Sequence, residues 1–203
     1  MFTGIIQRIG TVRARRRTAA GVSFTVCGVG CGGGIKPGDS VSINGVCQTV
    51  EQAAPDEVVF TAVAETLGRT TLGSLRIGAR VNVETAVQAQ SALGGHIVQG
   101  HVDGIGVVRS FVRAGGEWVL KVRVPRHVVD LVVPKGSIAI DGVSLTVIDC
   151  GRGGLVTVTV VPYTRENTVV AGYRPGTKVN VEADVLARYA RGHASGARRG
   201  GPR

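Results

Sequence analysis

The sequence predicts an all-β protein made of two tandem homologous barrels of about six strands each, closed or Greek-key, with a short helix near the C-terminus. Three observations carry this. The 203-residue chain repeats itself in order, its apolar stretches are short and β-branched, and two dipeptides that favour tight hairpins stand at matched places in the repeats. "FTGIIQRIGTV" (2–12) lies over "VQGHVDGIGVV" (98–108), and "SVSINGVCQTV" (40–50) over "SIAIDGVSLTV" (137–147). "ETLGRTTL" (65–72) lies over "YTRENTVV" (163–170), and "IGARVNVE" (77–84) over "PGTKVNVE" (175–182). Four blocks in one order at nearly constant separation define two halves of small-domain size. The expected units are an N-terminal barrel over 1–95, a C-terminal barrel over 96–186, and a helix end with a flexible tail over 187–203.

In chain order, "VSINGV" (41–46), "VVFTAV" (58–63), "VNVETAV" (81–87), "VLKVRV" (119–124), "SIAIDGVSLTVID" (137–149) and "LVTVTVV" (155–161) read as strands. Each alternates or runs together β-branched residues and is bounded by Gly, Pro, Asn or Asp. Asn44-Gly45 and Asp141-Gly142 mark two-residue turns between apolar runs. Closing each sheet on itself removes exposed edges, and the 31 glycines suit turns and bulges better than helices. "ADVLARYAR" (183–191) has helical spacing and an acidic start, whereas "GHASGARRGGPR" (192–203) reads as disordered.

Composition narrows the function classes. The formal net charge of +10 invites a nucleic-acid partner, but the basic residues are scattered, with clusters only at 13–17 and in the tail. Aromatic residues, at 4%, are too few to form stacking platforms, so no nucleic-acid partner is expected. No apolar run approaches the length of a membrane span and the start lacks the layout of a secretion signal, so the expectation is a cytoplasmic protein without a membrane partner. Cys27 and Cys31 lack a second ligand pair at zinc-site spacing, so no metal site is expected.

Strand alternation puts Cys47 and Thr49 on one face, and Ser144 and Thr146 on the matching face of the second half. A buried cysteine packs as a small hydrophobe and strand hydroxyls are ordinary. A pair repeated between tight turns points instead to a site in each half. His96 and His101, among glycines in "ALGGHIVQGHVDGIG" (92–106), fit hydrogen-bonding or proton-transfer groups near a ligand, or else a polar linker. Lys135 and Asp184 are charged residues in strand-like segments whose first-half counterparts are Gly38 and Ala86. Either the two halves hold similar pockets with different tasks, or these are ordinary surface charges.

"MFTGII", "GDSVSINGVC", "LGGHIVQGHVDGIG", "KGSIAIDGVSLTV" and "VNVEADVLARY" together resemble the riboflavin synthase family over residues 1 to about 190. The resemblance implies two six-stranded Greek-key barrels and a C-terminal helix that helps form a homotrimer. It also implies an enzyme that takes no cofactor or metal. Two molecules of 6,7-dimethyl-8-ribityllumazine would exchange a four-carbon unit, giving riboflavin and 5-amino-6-ribitylamino-uracil. The site would lie between the first barrel of one subunit and the second of its neighbour. By the same resemblance, Cys47, His101, Ser144 and Thr146 are candidate catalytic residues, Cys47 as or beside a nucleophile and His101 for proton transfer. Phe2, Ser40, Thr49, Thr66, His96, Lys135, Thr164 and Asp184 are candidate substrate-binding residues.

The chain departs from the family pattern at Gln48, where leucine is expected, at Tyr163, where histidine is usual, and at Arg165, where leucine is usual. Its tail is rich in glycine and arginine where an amphipathic helix is common. Two other readings stay open: a non-catalytic lumazine- or flavin-binding relative, and a duplicated copy acting on a related substrate.

Overall fold

The computed structural model describes residues 1–30 and 34–197, with side chains through Arg191. The first half contains β1 (Arg8–Thr18), β2 (Gly21–Cys27), β3 (Ser40–Ile43), β4 (Val46–Thr49), β5 (Gln52–Ala54), β6 (Glu57–Val63), α1 (Ala64–Arg69), a 3-10 turn (Thr71–Ser74) and β7 (Arg80–Thr85). The second contains β8 (Gly104–Ala114), β9 (Glu117–Arg123), α2 (Arg126–Val129), β10 (Ser137–Ile140), β11 (Val143–Gly151), β12 (Leu155–Val160), α3 (Pro162–Glu166), a 3-10 turn (Val169–Gly172) and β13 (Lys178–Ala183). The chain then enters α4 (Val185–Ala197).

The second half is a closed barrel of six strands in the order β10-β11-β12-β9-β8-β13. The first half has seven segments, β4-β3-β7-β1-β2-β6-β5, rather than six. The extra segment comes from a bend. Both halves kink at the matched residues Val50 and Val147, whose N–H groups bond the carbonyls of Asp39 and Gly136 across the sheet corner. In β11 the kink is absorbed as an irregularity between Val147 and Asp149. In the first half it splits the strand into β4 and β5, and the Glu51 N–H to the Val59 carbonyl (2.8 Å) carries the chain across the corner.

Each barrel has its own apolar interior. Phe24, Phe60, Ile43 and Leu72 are fully buried in the first, and Leu120, Ile138, Ile140 and Val158 in the second. Alternation puts Val41, Ile43 and Val46 on the inner face of the β3–β4 hairpin and Ser40, Ser42, Cys47 and Thr49 on its outer face. Asn44 and Gly45, at φ 47° and 75°, form the expected two-residue turn, as do Asp141 and Gly142 at 44° and 79°.

Two expectations change. Lys135 and Asp184 are not strand residues. Lys135 occupies a turn at φ 65° before β10, and Asp184 caps α4 by accepting the Leu186 N–H at 2.9 Å. That helix also continues to Ala197, past the residue where disorder is expected to begin, while 198–203 lie outside the described residues, as does Cys31. Ion pairs Arg188–Asp103 (2.8 Å) and Arg191–Asp130 (2.7 Å) tie it to the second barrel. Among the described residues no helix is long and apolar enough to cross a membrane.

Candidate functional site

The two halves meet around a pseudo-two-fold axis built from the hairpin turns. The Asn82 side chain donates to the Asp141 carbonyl (2.9 Å) and accepts the Val169 N–H (2.8 Å). Asn180 does the same in reverse, donating to the Asn44 carbonyl (2.8 Å) and accepting the Thr71 N–H (2.7 Å). All four polar side chains at the axis (Asn44, Asn82, Asp141, Asn180) are buried, so each needs its partners. The halves differ in one charge. Asp141 also accepts the Tyr173 hydroxyl at 2.6 Å, and burial raises its pKa to about 7 against the opposing effect of its hydrogen bonds. The same burial, with the Asp141 charge, pushes the Tyr173 hydroxyl well above its ordinary value.

Outward from the axis, each hairpin face is crossed by the chain segment that leads into the other barrel. Residues 2–4, which precede β1, lie on the second hairpin, where the Gly4 carbonyl accepts the Ser144 N–H at 2.8 Å. Residues 98–100, which precede β8, lie on the first hairpin, where the Gly100 carbonyl accepts the Cys47 N–H at 2.9 Å. The two segments pair with each other through Phe2 and Val98. The approach is close enough to demand glycine. A Cβ on Gly100 would stand 2.6 Å from the Cys47 Cβ, and one on Gly4 2.6 Å from the Ser144 Cβ; both glycines also have positive φ.

A buried carboxylate anchors each segment to its own barrel. Glu84, at the end of β7, accepts the N–H groups of Thr3 (2.7 Å) and Gly4 (3.1 Å) and the Thr3 hydroxyl (2.7 Å). Glu182, at the end of β13, accepts those of Gln99 (2.7 Å) and Gly100 (3.0 Å). Burial raises both carboxyls, Glu182 to about 7, with Asp103 adding to the rise and the N–H bonds opposing it. The sequence reading missed these glutamates and the axial asparagines. The signal was present: "VNVE" recurs in both halves, and alternation sets Asn and Glu together on the face opposite the core valines.

Among the candidates, Phe2 is fully buried in a small cluster with Val98 and Ala139, against which Cys47 and Ala86 pack. Ser40 pairs across the ladder with Thr49, and Thr146 with Ser137, with both threonines exposed. His96 is buried, and its Nδ1 lies 2.7 Å from the Ser144 hydroxyl. Desolvation lowers its pKa while the Asp184 charge acts in the opposite sense, so His96, Ser144 and Asp184 form one electrostatic group. His101 is exposed immediately after Gly100. Thr66 and Thr164 are half-buried at matched positions on α1 and α3, each with its carbonyl taking the hydroxyl of the threonine four residues on, at 2.7 Å. Lys135 is exposed, and its backbone N–H bonds the Val147 carbonyl at 2.8 Å. A cavity of about 650 Å³ opens beside the first hairpin between Ile6, Arg8, Asp39 and Tyr163; Ser40 is the candidate on its wall.

The departures from the family pattern have places too. Gln48 points into the first barrel at the position of Leu145 and bonds the Cys47 carbonyl at 2.6 Å. Arg165 stacks on Trp118 with its guanidinium 4.1 Å from the ring centre. Tyr163 is exposed.

The family model of the lumazine binding domain matches this chain twice, at residues 3–86 and 99–184. A riboflavin synthase of Mycobacterium tuberculosis is 43% identical over 193 residues, covering 93% of this chain and 96% of its own. Those of Photobacterium phosphoreum and Bacillus subtilis are 39% and 32% identical, each over 93% of this chain and 87% of their own. Among solved structures, LumP complexed with riboflavin superposes with a TM-score of 0.82 at 21% identity, covering 90% of this chain and 99% of LumP. LumP with 6,7-dimethyl-8-(1'-D-ribityl) lumazine gives 0.79 at 20% over the same shares, a likeness of fold. With its duplicated domain and relatives that match along nearly their full length, the chain belongs to the riboflavin synthase family.

Proposed function

We propose that the protein is a riboflavin synthase that dismutates two molecules of 6,7-dimethyl-8-ribityllumazine into riboflavin and 5-amino-6-ribitylamino-uracil. The observation that carries this reading is the pair of matched but unequal hairpin faces. One bears the Cys47 thiol, the other the Ser144 hydroxyl held by His96, and each lies under a glycine of the opposite segment. Dismutation requires two identical ligands in different roles, and two related but chemically distinct half-sites meet that requirement. The atoms of two substrates divide between the two products, so the overall reaction balances without a further reactant.

In this reading Cys47 supplies or assists a nucleophile on the acceptor ring, and His101 moves a proton at the acidic C7 methyl. Ser144 and Thr146 do the matching polar work in the second half. Phe2, Ser40, Thr49 and Thr66 line the first half-site, and His96, Lys135, Thr164 and Asp184 the second. Holding two rings in register supplies the larger share of the acceleration, up to about 7–11 kcal/mol in well-oriented cases. Thr49 and Thr146 face outward, which supports a complete site formed by the first half of one chain and the second of a neighbour in a homotrimer.

Incubating the pure protein with the lumazine is expected to produce riboflavin fluorescence with no additive, and light scattering to give a three-chain mass. A second reading, a lumazine- or flavin-holding protein, draws on the fold likeness to ligand-bound LumP. Tight binding of the lumazine without turnover would establish that reading and exclude the enzyme.

A further inference from the structure

We propose that Glu182 is a positioning residue that acts across the two halves, holding residues 99–101 against the first hairpin and thereby setting both the cover over Cys47 and the place of His101. Its two oxygens take the consecutive N–H groups of Gln99 and Gly100, at 2.7 and 3.0 Å. Those bonds aim the Gly100 carbonyl at the Cys47 N–H, 2.9 Å away, and the next residue is His101. A carboxylate from the second barrel thus fixes the thiol environment of the first. Glu84 is its mirror image, fixing residues 3–4 over Ser144. A carboxylate suits this task because both oxygens accept, whereas an amide in the same place would turn an NH2 toward one of the N–H groups.

The effect on turnover rests on the riboflavin synthase reading, but the effect on the thiol does not. The experiment therefore measures both, in the full-length protein. In Glu182→Gln, alkylation of Cys47 by iodoacetamide, followed at each cysteine by peptide mass, is expected to speed up about tenfold, as one charge-assisted bond holding the segment shut is lost. Turnover of the lumazine is expected to fall in kcat by about 10²-fold, with KM changed little, because a misplaced reacting group costs rate more than binding. Glu84→Gln is expected to raise Cys47 alkylation far less than Glu182→Gln does, since it reaches the thiol only through the Phe2–Val98 pairing. Gly100→Ala forces the segment away from Cys47 by steric contact and should reproduce the faster alkylation. If Glu182→Gln does not fold, Glu182→Asp, which draws the carboxylate one methylene back from both N–H groups, should speed alkylation too and decides the matter. Unchanged Cys47 alkylation in the folded variants, or an equal rise in Glu84→Gln, overturns the proposal. A wild-type protein that gives no riboflavin, yet shows the alkylation pattern, sinks the enzyme reading and leaves the positioning role standing.

Discussion

The two hairpins share backbone geometry to a degree their side chains do not. In each, a two-residue turn sits on the axis, a glycine from the opposite segment presses on the second residue after the turn, and a hydroxyl or thiol is covered there. Yet the first carries Cys47 and the inward Gln48, and the second Ser144 and Leu145. Asn44 on the axis becomes Asp141, Gly38 becomes Lys135, and Ala86 becomes Asp184. The frame is common property of the halves, and the chemistry is where they part.

The largest test of that difference is to erase it. Cys47→Ser gives the first face the hydroxyl of the second at the matched position, and kcat for lumazine turnover is expected to fall about 10²-fold, the scale of a positioned catalytic group. Cys150→Ser, away from both faces, is expected to leave the rate as it was, and equal losses in the two variants would remove Cys47 from the site.

The shared frame can be broken from either side. Asn82→Ala and Asn180→Ala each strand an N–H and a buried carbonyl of the opposite half. Each is expected to cost about 3 kcal/mol in urea unfolding. A cost confined to one of them would show that the axis is not equally shared.

The charge at the axis predicts a pH dependence that Asn44, its counterpart in the first half, cannot supply. Asp141 titrates near 7 when folded and near its ordinary 3.8 when unfolded, so the folded state binds the proton more tightly. Its stabilising contribution is complete below the unfolded value and disappears as pH rises through about 7, and Glu182 acts in the same direction. Melting temperature is therefore expected to fall between about pH 4 and pH 7 and to level off above that. Asp141→Asn, which copies Asn44, should flatten that slope, and identical slopes would show that Asp141 does not titrate in the window.

Smallest is the exchange inside the barrel. Gln48→Leu copies Leu145 and removes a buried amide, with an expected gain of about 1 kcal/mol in urea unfolding. A loss would mean that the bond from Gln48 to the Cys47 carbonyl matters more than the desolvation of the amide.

Much of this was legible in the chain because it depends on local rules. Alternation placed Cys47 and Thr49 together, and Asn44-Gly45 and Asp141-Gly142 announced the hairpins. The break at Val50 was not legible, since a kink absorbed in β11 and splitting β4 from β5 depends on sheet closure rather than composition. Lys135 and Asp184 read as strand residues because each stands beside a run that reads as a strand, whereas a turn and a helix cap claim them. The glutamates were hidden for a different reason. An acidic residue closing an alternating segment looks like a solvated edge until the crossing segments bring two N–H groups to it.

The contact between Gly45 and Gly142 has a bearing on how such a molecule can change over generations. A Cβ on Gly45 would stand 2.5 Å from the Gly142 nitrogen, and one on Gly142 2.8 Å from the Gly45 nitrogen, so neither copy can be altered there without injuring its twin. The duplicated stretches are thus bound to a common fate along the line where they touch and are free to specialise only at a distance from it. Lys135 and Asp184 are departures of that kind, and even the swap of Asn44 for Asp141 keeps an accepting oxygen in the same place. Inheritance here resembles two pages glued along the spine, whose margins can still be written on separately.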